Sequence, residues 1–171
     1  MPKPYDISAK ARSLVQKFKT RDPFELADNL GIHVMFTNEL NRLKGMYWIV
    51  KRERFIAINS RLPKEGQLIV CGHEVGHDLF HQDLAKAGAF KEFMLYDMTT
   101  RPEYEANVFA ASFLLDEYRM LELIYQYHYD AEQIAKTMNS DINLVALKAA
   151  ELARCGYRLN ALESRADFLK L

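Results

Sequence analysis

The chain has 171 residues, of which 49% are hydrophobic and 27% charged, a composition typical of one folded domain rather than a disordered chain. No run approaches the roughly 18 apolar residues of a membrane span, and the N-terminus lacks the apolar core of a secretory signal. The two cysteines, Cys71 and Cys155, are isolated in the sequence, as is typical of a reducing compartment. We therefore expect a cytoplasmic protein without membrane contact.

The net charge is zero, but the charges are unevenly distributed along the chain. Residues 1–62 contain 12 Lys and Arg against 6 Asp and Glu, whereas residues 63–129 contain 5 against 11. The acidic middle region contains a histidine motif, as expected of a cation site. The basic first third is either a solvated surface, which we favour, or a docking surface for an acidic partner.

The first half of the chain predicts two helices followed by three strands. Residues 8–19 have helical spacing of apolar residues, and "DPFELADNLG" has a capping Asp22, Pro23 in the first turn and a terminating Gly31. The apolar run "IHVMFT" predicts a strand. "GMYWIVKRERFIAINS" is typical of a β-hairpin with a charged turn around residues 51–53.

The second half predicts four helices. They cover residues 64–82, a long stretch "TTRPEYEANVFAASFLLDEYRMLELIYQY", and the shorter segments 130–138 and 142–154. Residues 83–100 have no clean periodicity. The expected fold class is α+β, with a small three-stranded, partly antiparallel sheet on a helical bundle. We expect a core at residues 1–129 and a C-terminal helical subdomain at 130–171 packed on it.

The segment "GHEVGHDLFH" carries the clearest chemical signal. Residues four apart share a helix face, so His73 and His77 can bind one zinc ion. Glu74 is the neighbour of His73 and can accept a proton from bound water without being a ligand. His81 lies about 12 Å along the axis from His73, so in a straight helix it cannot bind the same ion.

A catalytic zinc ion usually has three protein ligands, so one ligand must come from outside this helix. Glu103 and Glu105 on the next long helix both border its apolar stripe. Glu103 lies in the first turn after Pro102, where the helix dipole alone favours an acidic residue. Glu105 has no such explanation, and this difference favours Glu105 as the third ligand.

"VCGHEVGHDLFH" and the downstream "EYEANVFAASFLL" together resemble the ImmA/IrrE family of zinc metallopeptidases over about residues 20–120. The resemblance implies a zincin-like active-site helix and one Zn²⁺ per chain. Its ligands would be His73, His77 and Glu105, and Glu74 would be the general base. The family often has L-L-M-P where this chain has "LLDE", which allows the helix to continue past Asp116.

Members of this family cleave helix-turn-helix repressors, so the resemblance implies a zinc endopeptidase, with residues 1–129 as its core, that relieves repression. The alternative is a regulatory module that sequesters a partner protein around an idle zinc site. Glu74 favours the enzyme, because a structural zinc site does not need it. A general aminopeptidase would require a site for a free amine, which we do not identify. Candidates for substrate or oxyanion contacts are His81, Tyr96 and Tyr104.

The C-terminal segment "AEQIAKTMNSDINLVALKAAEL" itself resembles a helix-turn-helix. Affinity for duplex DNA comes mainly from Lys and Arg against phosphate, and this segment is charge-balanced. We therefore expect these helices to pack on the core or to help bind the partner protein, with no direct contact to nucleic acid.

Overall fold

The computed structural model describes residues 4–87, 90–92 and 100–159, which form an α+β fold. The helices are α1 Pro4–Phe18, α2 Pro23–Asn29, α3 Lys64–Phe80, α4 Gln82–Ala87, α5 Arg101–Leu114, α6 Glu117–Tyr125, α7 Ala131–Thr137 and α8 Ile142–Arg154. The strands are β1 His33–Thr37, β2 Gly45–Val50, β3 Glu53–Asn59 and β4 Phe90–Glu92. No helix among these residues has the length and apolar character needed to cross a membrane.

The sheet is mixed, with the strand order β1-β3-β2-β4. Strand β3 pairs in parallel with β1 and antiparallel with β2, and the three predicted strands are confirmed. Strand β4 adds a short antiparallel pairing, in which Glu92 lies opposite Gly45. This strand lies in the region where the sequence predicted no regular element, because three residues are too few to produce a periodic pattern.

Helix α3 lies between the sheet and the other helices, in contact with β2, β3, α2 and α5. The buried apolar residues form one cluster that includes side chains from the sheet, from α3 and α5, and from the C-terminal helices α7 and α8. Lys148 of α8 is buried as well, and its Nζ lies 3.1 Å from Glu117 Oε2 of α6. The division of the chain at residue 130 stays a prediction.

The long helix predicted after residue 100 is in fact two helices, so the expected continuation past Asp116 is wrong. Helix α5 ends at Leu114, and Leu115 is extended. Asp116 then caps α6 by accepting a hydrogen bond from the backbone N–H of Arg119. Arg21 stabilises the break, because its guanidinium donates to Phe113 O at 2.8 Å and pairs with Asp116 at 2.7 Å.

The histidine helix also ends earlier than predicted. Helix α3 stops at Phe80, and His81 has the non-helical dihedral angles φ −130° and ψ 23° before α4 begins at Gln82. His81 is therefore not on the straight helical extension that the sequence argument assumed. This change of backbone direction alters where its side chain can reach.

Helices α3 and α5 cross at very short distance, at Gly76. A Cβ added to Gly76 would lie 3.0 Å from Ala106 Cα and 3.2 Å from Ala106 O. These are backbone atoms, which cannot move aside as a flexible side chain can. Glycine at position 76 is thus required by the helix crossing.

We expect Gly76→Ala to lower the free energy of unfolding by about 1 kcal/mol, because overpacking of about 1–3 kcal/mol exceeds the helix-propensity gain of about 1 kcal/mol. The matched control is Gly66→Ala in the same helix, where the nearest atom would lie at 3.5 Å. That substitution should raise stability. Urea unfolding of the two variants measures the difference, and equal effects would contradict the close crossing.

Candidate metal centre

Three donor atoms from α3 and α5 converge on one point in the buried interior. His73 Nε2 lies 3.0 Å from His77 Nε2, and Glu103 Oε2 lies 3.1 Å from the former and 3.5 Å from the latter. The two histidine side chains are 2% and 1% exposed, whereas that of Glu103 is 19% exposed. Two imidazole nitrogens and one carboxylate oxygen match a common donor set of catalytic zinc, so these residues suit a zinc ion.

The carboxylate beside the two histidines is Glu103, so the assignment of Glu105 as third ligand does not match this geometry. Glu105 is buried on another side of α5, where its Oε2 lies 3.1 Å from His81 Nε2. Its Oε1 accepts a 2.6 Å hydrogen bond from Arg101 Nε. A first-turn glutamate can both suit the helix dipole and face a metal site, so the dipole does not distinguish Glu103 from Glu105.

Asn107 is a site residue that the sequence argument missed. Its Oδ1 lies 3.0 Å from His73 Nδ1, on the opposite side of that ring from Nε2. Glu103 and Asn107 are four residues apart and therefore share one face of α5, just as His73 and His77 share one face of α3. The matching i, i+4 pairs in "HEVGH" and "EYEAN" are the signal that favours Glu103 over Glu105.

His81 contacts the His77 ring from the side that faces away from the donor cluster. Its Nδ1 is 3.1 Å from His77 Nδ1, the nitrogen that faces away from the donor cluster. The ring is buried between His77 and Glu105. The contact of His81 with substrate or oxyanion stays a prediction, and what the structure places beside this ring is His77 and Glu105.

The hydrogen-bond partners indicate where the protons of these rings lie. If His77 binds a metal through Nε2, its proton is on Nδ1 and is donated to His81 Nδ1. His81 then carries its proton on Nε2 and donates it to the Glu105 carboxylate. A histidine ligand held in one tautomer by a carboxylate is a recurrent feature of zinc sites.

Burial sets the charge states of the cluster. Desolvation lowers the pKa of His77 from 6.5 to about 4, and it also lowers the pKa of His81. Burial alone would raise the pKa of Glu103, but the hydrogen bonds with His73 and His77 outweigh it and hold that pKa well below its usual value of 4.5. At neutral pH the site therefore offers neutral His77 and an ionised carboxylate, the forms that bind a cation.

Glu74 is fully buried beside the start of β2. A Cβ added to Gly45 would lie 2.8 Å from Glu74 Oε1 and 2.4 Å from Val70 Cγ1. The strand can approach α3 this closely only because residue 45 has no side chain. Gly45 therefore makes space for the carboxylate that follows the first histidine.

Tyr104 contacts the C-terminal helix α8, and its contact with substrate or oxyanion stays a prediction. Its hydroxyl donates to Glu151 Oε1 of α8 at 2.5 Å, and Arg154 also contacts it. These contacts connect α5 to the C-terminal helix. Tyr96, the other aromatic candidate, lies outside the described residues.

A helix with two histidines and a neighbouring glutamate, joined by a carboxylate from a second helix, defines a zincin-like domain. Comparison with known families agrees, because the model of the IrrE N-terminal-like peptidase domain matches residues 27–149. The chain therefore belongs to the ImmA/IrrE family. It is also 37% identical over 112 residues to "Uncharacterized immunity region protein 2" of Bacillus phage phi105, a match covering 66% of this chain and 70% of the relative.

Zinc affinity should distinguish Glu103 from Glu105. We expect Glu103→Gln to abolish stoichiometric zinc binding, because it replaces a charged donor of the cluster. Glu105→Gln should retain zinc but weaken its affinity about 10- to 100-fold, the range typical of residues that orient a histidine ligand. Competition with a chromophoric chelator measures both values. Loss of zinc from Glu105→Gln with retention in Glu103→Gln would contradict this assignment.

The metal-free protein should lose stability in acid through His77. The pKa of His77 in the folded protein, about 4, lies below its ordinary value of 6.5. Between these pH values the unfolded state binds a proton that the folded state does not, so the contribution of His77 to the free energy of unfolding is fully present above pH 6.5 and is lost as the pH falls toward 4. The loss should be on the order of 3 kcal/mol. Urea unfolding of chelator-treated protein between these pH values measures it. His77→Gln, which does not titrate, should flatten the profile, and an unchanged profile would reject His77 as the cause.

Proposed function

We propose that the protein is a cytoplasmic zinc endopeptidase that cleaves a regulatory protein, specifically a helix-turn-helix transcriptional repressor, and so relieves repression. The observation that carries the proposal is the convergence of His73, His77 and Glu103 on α3 and α5, with the buried Glu74 next to the first histidine. A site for a purely structural ion has no use for that extra carboxylate.

A zinc ion held by His73, His77 and Glu103 would act as a Lewis acid that polarises the scissile carbonyl and lowers the pKa of water. The chain's own contribution is to hold these side chains and to transfer protons. Glu74 would accept a proton from the attacking water as the new C–O bond forms. It would then donate that proton to the leaving nitrogen as the C–N bond breaks, which yields a carboxylic acid and an amine; transfer of the acid's proton to the amine then gives a carboxylate and an ammonium group.

The sheet offers a way to hold an extended substrate. Strand β3, which leads into α3, is enclosed between β1 and β2, so its own edges are not available. The edge beside Glu74 belongs instead to β4, which pairs with β2 opposite Gly45. We propose that a substrate segment pairs with the outer edge of β4, a common mode of peptide capture.

The name of the phage phi105 relative supports a regulatory substrate, because it refers to an immunity region. On this proposal the protein and its repressor meet in the cytoplasm. Helices α7 and α8 form a subdomain that helps to hold the repressor. Lys148 and Arg154 of α8 are paired with Glu117 and Glu151 and are not free to contact DNA phosphates.

The second candidate is a binding module that sequesters its partner without cleaving it. The packing around Glu74 favours the enzyme, since an idle site has no need of a buried carboxylate whose space depends on Gly45. Binding of the repressor by the zinc-loaded wild type without any cleavage would establish sequestration instead.

The test of the peptidase is Glu74→Gln. The amide has the shape of the carboxylate but cannot accept the proton, so we expect repressor cleavage to fall by at least about 100-fold, while zinc binding and repressor capture are retained. The measurements are metal analysis, a pull-down and a cleavage assay with the repressor encoded beside this protein's gene. Cleavage by the variant at a near wild-type rate would remove Glu74 from the mechanism.

A further inference from the structure

A basic pocket lies at the tip of the β2–β3 hairpin, away from the donor cluster. Its volume is about 550 Å³, and it is an open pocket lined by the hairpin and by α4. Among the described residues that line it, four of six are cationic and none is acidic. The lining consists of Ile49, Lys51, Arg52, Arg54, Gln82 and Lys86.

Two of the four cations are neutralised by neighbouring carboxylates. Arg54 pairs with Asp78 at 2.9 Å, and Lys86 pairs with the exposed Asp83 at 2.9 Å. Lys51 and Arg52 form no ion pair with any residue in the described parts of the chain. The pocket therefore presents an excess of two positive charges to a ligand.

The backbone at Lys51 and Arg52 is unusual. Val50 pairs with Glu53, so these two residues form a two-residue hairpin loop, and their φ angles are +50° and +70°. A two-residue hairpin loop of this kind has positive φ at both positions. Asn-Gly is its favoured sequence, because the backbone of most residues that carry a Cβ is strained at positive φ. The chain has instead two long cationic residues, and strain retained at an exposed loop is an indication of function.

We propose that this basic pocket binds a carboxylate-rich segment of the protein substrate and thereby selects which protein reaches Glu74. This inference rests on the proposed peptidase function. Strand β2 extends from Gly45, beside Glu74, to Val50, so five extended residues separate Gly45 from the hairpin tip, a span of about 17–20 Å. A substrate extended along the sheet would thus present its acidic residues about five or six positions from the scissile bond.

A peptide fits the pocket better than a nucleic acid does. Duplex binding depends on many Lys and Arg contacts along a phosphate backbone, whereas only two unpaired cations line this concave pocket. The chain as a whole has no net charge. A short cluster of carboxylates matches both the size and the charge of the pocket.

The test uses the double variant Lys51→Asn, Arg52→Gly, which removes both charges and installs the favoured turn sequence. We expect its thermal stability to equal or exceed that of the wild type, since the strain is relieved. Its affinity for a fluorescein-labelled hexaglutamate peptide should nevertheless fall about tenfold in fluorescence anisotropy. A general loss of folding would lower both the thermal stability and the peptide affinity. A loss of affinity without a loss of stability therefore identifies the pocket as the binding site.

The matched control is Lys10→Gln, Lys136→Gln, which removes two exposed charges elsewhere and should leave peptide affinity unchanged. Equal losses in the two double variants, or no loss in the turn variant, would overturn the proposal. Tighter binding of a duplex DNA than of the peptide at the same salt concentration would overturn it in favour of a nucleic-acid site.

Peptide binding involves no bond cleavage, so it is measured independently of the proposed activity. A wild type that binds the peptide through the pocket but never cleaves a repressor would support the pocket and reject the peptidase. Repressor cleavage with equal peptide affinity in wild type and turn variant would reject the pocket alone.

Discussion

The close crossing of α3 and α5 is the constraint on which the candidate site depends. Gly76 lies between the two histidines in the sequence of α3, and Ala106 lies between Glu103 and Asn107 in α5. The close backbone approach at Gly76 and Ala106 thus falls within the donor cluster itself. Zinc–ligand bonds are near 2 Å and tolerate little error, so the helix separation must be set by backbone contact instead of by adaptable side chains.

The crossing brings many polar groups into an apolar interior, which is costly unless each is satisfied. For the two histidine rings the structure meets this requirement with hydrogen bonds. Asn107 contacts Nδ1 of His73, and His81, which is itself hydrogen-bonded to Glu105, contacts Nδ1 of His77. Because these partners bind the nitrogens that face away from the cluster, they leave both Nε2 atoms directed at the same point. The same contacts therefore satisfy buried polar groups and orient the donors.

The sequence predicted the elements whose signals are local. Asp22, Pro23 and Gly31 bound α2 as expected, and the helical spacing of His73 and His77 identified half of the cluster. Prediction from the sequence was less successful for features that depend on contacts between residues far apart in the chain. The break between α5 and α6 depends on Arg21, which is more than 90 residues away from its partners. The choice of carboxylate depended on which face of α5 meets α3, and the helix dipole contains no information about that face.

Strand β2 connects the region of the donor cluster with the basic pocket. Gly45 at its start accommodates Glu74, and the loop that follows its end carries Lys51 and Arg52. Between them, Tyr47 donates a 2.8 Å hydrogen bond to the buried Asp78, the residue that follows His77.

The Asp78 carboxylate also accepts a 2.9 Å hydrogen bond from the guanidinium of Arg54, which lines the basic pocket. Burial and the hydrogen bond to Asp78 raise the pKa of Tyr47 far above 10, so this tyrosine stays a donor at any physiological pH. One buried carboxylate thus joins the strand, the basic pocket and the histidine helix. Because Arg54 and Tyr47 contact the same buried side chain, the position of Arg54 relative to the histidine helix is set by a contact in the core.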